Sequence, residues 1–189
     1  MTTMALSPAP RLSLSQVLIA SWGVFCVVAL LGQALYRLTP LAIEPVEKGM
    51  LSRAQWAVFI GWAIFNAYAE GYRGFQKAFV PRVVARAFHL ARHPKPLHVI
   101  LAGPFCMAMF HAKKKNLILA WGVFFVVVAL VILVRSLSQP WRGIVDVGVV
   151  VGLGWGTLSL LIQFATALAT GEVPETDSLP EADPASSAA

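Results

Sequence analysis

His89 and His93 stand four residues apart, the spacing that places two imidazoles on one helical face and could clip a metal ion. No His-Glu-x-x-His pattern and no carboxylate accompany them, so the pair does not specify a zinc site. His98 and His111 flank a short apolar segment. A haem would draw its axial histidines from deep inside facing spans, and these fall at helix ends. Cys106 and His111 are five positions apart and form no Cys–His dyad. Cys26 and Cys106 lack paired spacing and read as small buried hydrophobes. There is no Gly-x-Ser-x-Gly, no P-loop and no dinucleotide fingerprint. The residues therefore assign no catalytic group, no metal and no cofactor.

Two acids lie where a carboxylate could carry a proton or a cation. Glu70 precedes Arg73 by three residues, and Asp146 follows Arg142 by four. An ionisable group inside a membrane is a functional hypothesis by default. Both spacings are also those of neighbours on a helix surface, so intramembrane ion pairs Glu70–Arg73 and Arg142–Asp146 are the expected reading. Gln33, Asn66 and Gln163 are expected to hydrogen-bond between helices.

A third pattern is basic. After Pro81, Arg82, Arg86, His89 and His93 fall within an arc of about 60° on a helical wheel, with Val84, Ala87, Phe88 and Ala91 opposite. This predicts an amphipathic helix lying in the inner interface, with Arg82, Arg86, Lys113, Lys114 and Lys115 touching anionic headgroups. A nucleic-acid role is not expected, because apolar residues hold the face that a groove reader would use. A fourth pattern is Gly148, Gly152 and Gly156, one residue per turn, with Gly154 nearby. Missing side chains let backbones approach, either against the chain's own first or third span or against a homo-oligomer or membrane-protein partner.

The elements that must position these residues are membrane helices. Residues 116–134 hold no ionisable side chain, enough to cross a bilayer core of about 30 Å. Only 13% of the 189 residues are charged, against about 25% in soluble domains. Four spans are expected at about 14–36, 54–72, 116–134 and 144–169, in one bundle over residues 1–170. The first exceeds the apolar core of a cleaved leader and is expected to be a retained anchor. The acid-rich stretch 171–189 reads as a disordered tail.

Residues 97–111 decide the topology. As a helix they reach only about 23 Å, with Gly103 and Pro104 in the middle and cations on both flanks. A re-entrant or interfacial helix keeps the basic hairpin 73–115 inside. Ten Lys/Arg then stand inside, Arg11 and the nine from Arg73 to Lys115, against five outside. The fold class is thus an all-α integral membrane bundle, with four transmembrane helices, an amphipathic interfacial helix and a short re-entrant helix. The expected setting is a bacterial inner membrane with both termini cytoplasmic. The expected role is a non-enzymatic accessory, scaffold or assembly protein touching anionic lipid. The alternatives are a small oligomeric transporter or channel gated by Glu70 and Asp146, and a lipid-modifying or haem- or metal-binding protein using His98 and His111.

Overall fold

The computed structural model describes residues 12–110, 114–174 and 176, without the side chains of Lys115 and Leu119. Every regular element among them is helical: α1 (Leu14–Glu47), α2 (Arg53–Asn66), a π-helical segment (Ala67–Phe79), α3 (Val80–Arg92), α4 (Pro96–Ile100), α5 (Ala102–Cys106), α6 (Lys114–Arg135) and α7 (Trp141–Thr170). Three stretches are long and apolar enough to cross a membrane: α1, residues 116–135 of α6, and α7. Lys113, His111 and all of the expected tail beyond residue 176 lie outside the described residues.

Local chemistry sets the helix ends. Ser13 and Ser52 cap α1 and α2, each accepting from the backbone N–H of a glutamine three residues on, while Gln16 and Gln55 reach back to the cap N–H. The helix α1 passes the expected end near residue 36 and continues to Glu47 through Pro40 and Pro45. Each proline removes only its own N–H, and Thr39 Oγ1 donates to Leu35 O at 2.7 Å beside the break. A Schellman turn ends α1: Gly49 takes φ 60°, and Met50 N–H reaches Pro45 O at 2.9 Å.

The central helix is α7. It runs antiparallel to α1, with Gly143 against Pro45 at one end and Leu160 and Ala167 packed with Val24 and Val27 at the other. It runs parallel to α2 and the π segment, as the contacts Trp62–Val145, Gly71–Trp155 and Phe75–Gly156 require. Gln139 ties the α6–α7 link to the end of α1, donating to Leu41 O at 3.2 Å and Glu44 Oε2 at 2.9 Å. The core sits at the opposite end, where α3 and α5 pack into α1 and α7. There Val80, Val83, Val84, Phe88, Leu90 and Phe105 are buried. The outermost helix is α6, apolar on all sides and exposed along nearly its whole length, the pattern of a helix bathed in lipid.

Candidate functional site

Two neighbouring constellations emerge. The first is the hairpin built from α4, α5 and the residues up to Phe110, clamped by α3. Its chain is broken at Leu101, and Gly103 lies so close to α1 that an added Cβ would sit 3.2 Å from Cys26 Cβ. Cys106 Sγ lies against Gly23 in the same manner. The broken backbone turns several carbonyls toward neighbouring helices, and side chains from three of those helices donate to them. Trp22 Nε1 donates to Val99 O at 3.0 Å, and Trp121 Nε1 to Met109 O at 3.0 Å. Arg86 donates from Nε to Phe105 O at 2.6 Å and from Nη2 to Phe110 O at 3.0 Å. In an apolar medium each such carbonyl needs a donor, so these four bonds are what lets the irregular hairpin persist among membrane helices.

Arg86 is fully buried, with its guanidinium 4.3 Å from the centroid of the Phe105 ring. Burial pushes its pKa down to about 10, leaving it charged at neutral pH. Its expected contact with lipid headgroups is therefore corrected: the side chain faces backbone carbonyls inside the protein. The same holds for α3 as a whole. Val83, Val84, Ala85, Ala87, Phe88, Leu90 and Ala91 are buried around Arg86, so α3 is a core helix rather than a surface one. Arg82 is only partly buried, Lys114 is exposed, Lys113 lies outside the described residues, and nothing is described of the Lys115 side chain.

The histidines gather around the same ring system. His98 stacks on Phe105 with centroids 4.7 Å apart, and His89 lies 4.8 Å from His93. Burial, then the nearby His93, Arg86, His98 and Arg92, push His89 down to about 4, so it is neutral at pH 7. Among the described residues, no three of the His, Cys, Asp and Glu side chains meet as a metal-ligand set.

The second constellation is the π segment against the glycines of α7. A Cβ added at Gly148 would stand 2.5 Å from Trp62 Nε1, one at Gly152 would stand 2.9 Å from Glu70 Oε2, and one at Gly156 would strike the Phe75 ring. The glycine face is thus lined by the chain's own second long helical run rather than by the first or third span. The contacting residues Asn66, Glu70 and Phe75 are spaced four and then five, while the glycines keep four. A π turn, bonded from i to i+5, absorbs the extra residue.

That widening also explains the fate of Glu70 and Arg73. Around a π turn the surface neighbours are i+4 and i+5: Tyr68 stacks on Tyr72, Phe79 meets Phe75, and Lys77 sits 4.6 Å above the Tyr72 ring. Residues three apart no longer face each other. Lys48 pairs with Glu44 and Arg142 with Asp146, whereas the expected Glu70–Arg73 pair does not form. Arg142 Nε stands 3.6 Å from Asp146 Oδ2, with Asp146 buried. Of the expected bridging amides, Gln163 reaches across to Gln76 O at 3.2 Å, Asn66 donates within its own helix to Trp62 O, and Gln33 is exposed.

No protein-family model, curated protein or solved structure matches the chain. The chemistry of the site rests on its geometry alone.

Depth is the decisive part of that geometry. With 30 residues α7 is about 45 Å long, half as long again as the roughly 30 Å apolar core it can cross. A core crossed by α7 would include roughly residues 151–160 wherever it lay along the helix. The π segment is fastened to that stretch: Glu70 at Gly152, Gly71 and Gln76 at Trp155, Phe75 at Gly156. Glu70, Arg73 and Lys77 are all exposed there. Insertion scales put a charged side chain at the centre of a helix at about 2.5–3.5 kcal/mol each, so a lipid-facing trio would be costly. Neither the hairpin's buried arginine nor the depth of these three charges was legible in the sequence. The available signal is the run Glu70, Arg73, Lys77 following an apolar stretch with no proline between them.

Proposed function

We propose that this chain is a four-span, multi-pass inner-membrane scaffold or assembly protein that contacts anionic lipid at its inner face. The fourth span is the continuous run of α2 and the π segment. Its 27 residues join the end of α1 to the start of α3. The hairpin re-enters from the inner side, and both termini are cytoplasmic. The observation that carries the reading is the gathering of exposed cations. Arg92, Lys95 and Lys114 border the hairpin at the end of the bundle where α1 begins and α7 finishes. That segregation follows the positive-inside rule, and a cation near an anionic leaflet contributes about 1 kcal/mol. A clamped hairpin gives those cations a fixed spacing, which suits a docking surface.

The test is reconstitution of the full chain in nanodiscs of neutral lipid with a minor fraction of phosphatidylglycerol. Native mass spectrometry should find phosphatidylglycerol enriched on the released protein. The enrichment should fade with salt and in the triple variant Arg92→Gln, Lys95→Gln, Lys114→Gln. Equal retention of both lipids by the unaltered chain would sink the reading. A second reading, a small oligomeric transporter, draws on the depth of Glu70. Ion or proton flux into liposomes that disappears with Glu70→Gln would favour it.

A further inference from the structure

The exposed side of the π segment carries charges that the bundle engages only at their edges, Glu70 Oε2 against Gly152 and Lys77 over the Tyr72 ring. Glu70, Arg73, Gly74, Lys77 and Ala78 are all exposed, on a segment held against the middle of α7. With i+4 and i+5 as surface neighbours, Gly74 and Ala78 form one column. Glu70, four residues before Gly74, heads that column on the side nearer α7, and Arg73 with Lys77 flanks it on the other. An added Cβ on Gly74 would meet only its own helix, at Ala69 O, 3.5 Å away. The column is open, and a second backbone could lie against it.

We propose that this face is the contact between two copies of the chain within the membrane, closed by reciprocal pairs of Glu70 with Arg73 and Lys77. A two-fold axis along the membrane normal brings like faces together, so residue i meets j and j meets i. Looking down that axis, the acidic flank of one copy lies beside the basic flank of the other, as at the edges of a parallel coiled coil. Opposite charges therefore meet on both sides of the seam, and Gly74 and Ala78 let the two backbones come close. Lipid offers no such complement at this depth. A second copy supplies the complement from residues already present. The inference does not depend on the lipid-contacting role of the inner rim.

Two experiments decide it. In a background of Cys26→Ser and Cys106→Ala, Ala78→Cys should give a disulfide-linked dimer on mild oxidation in native membranes. Ala165→Cys, exposed on α7, should give at least about tenfold less. Charge reversal then tests the pairs. Glu70→Lys alone and Arg73→Glu alone should each weaken association in nanodiscs by about tenfold, read by mass photometry, and the double reversal should restore it. Restoration also shows that the single variants fold. A chain that stays monomeric in the membrane overturns the proposal. So does a dimer indifferent to both reversals. Labelling of Ala78→Cys by a water-soluble maleimide without cross-linking also overturns it, and would identify an aqueous path instead.

Discussion

The π segment and the α3–hairpin unit follow one another along the chain, and both are basic, yet they treat their cations in opposite ways. Arg86 is turned inward and shared among backbone carbonyls of the broken hairpin. Arg73 and Lys77 are turned outward, on a segment whose backbone bonds are made within itself. The difference is one of supply and demand for donors. A regular or π-bonded helix satisfies its own carbonyls and has no use for a guanidinium. A hairpin broken at Leu101 and again after Cys106 turns carbonyls away from its own axis, and an arginine that can reach two of them is held in the core despite its charge. A charge away from water is thus settled either by the chain's own irregular backbone or by something beyond the chain.

The sharpest way to break this contrast is to remove each arginine in turn. Arg86→Leu strips the donors from Phe105 O and Phe110 O. Phe105 O keeps the Ala108 N–H, but hydrogen bonds from a charged donor contribute about 1.5–3 kcal/mol apiece, so a loss of about 3–5 kcal/mol is expected, read as a large fall in Tm in detergent. Arg86→Lys keeps the charge without the planar fork and should fall between. Arg73→Leu should leave the stability of an isolated protomer within about 0.5 kcal/mol. Equal losses at the two positions would mean that the guanidinium–carbonyl bonds do not hold the hairpin.

Next in size is the seam between the π segment and α7. Gly148→Ala forces a methyl to within 2.5 Å of Trp62 Nε1, and overpacking of this kind costs about 1–3 kcal/mol. Gly156→Ala meets the Phe75 ring and should behave alike. Gly154 has nothing within 4 Å of an added Cβ, so Gly154→Ala should be neutral or stabilising by up to about 1 kcal/mol. Thermal unfolding of the three variants side by side ranks them. A Gly154→Ala variant as damaged as Gly148→Ala would show that the seam is looser than its distances imply.

Much of this architecture is legible in the residues, for reasons that also mark the limit. Long apolar runs locate three spans because nothing but lipid or a large core tolerates them, and α6 and α7 begin and end within a few residues of expectation. Glycines at every fourth position announce a close helix contact, but spacing carries no information on which helix fills it. The amphipathic pattern of α3 is real and was misread, because a polar stripe is the same whether it faces water or a backbone short of donors. The π segment hides for a different reason. Its residues satisfy an α-helical pattern equally well, and only the mismatch between its contacts and the α7 glycines reveals the extra residue per turn. Glu70 stands two residues before the end of the span expected at 54–72, so counting along one helix gives it a place near an interface. Its depth follows from which α7 residue it touches, a long-range fact.

The smallest expected effect separates the two regions by pH. His89 belongs to the hairpin unit and is held at about 4, below the ordinary value of 6.5, by burial and by His93, Arg86, His98 and Arg92 around it. As pH falls through 6.5 the unfolded chain takes up a proton that the folded chain refuses until about pH 4. Stability contributed by the neutral imidazole is therefore present above pH 6.5 and declines steadily between 6.5 and 4. His89 is partly exposed, so solvent screens the shift and the slope is modest. Other groups titrate over the same range, so the quantity to read is the difference between the unaltered chain and His89→Gln. Tm measured from pH 7 to pH 4.5 should fall less steeply in the variant. Parallel curves would mean that the imidazole is as free to protonate in the folded hairpin as in water. The packing of α3 against Phe105 would then be looser than the ring distances indicate.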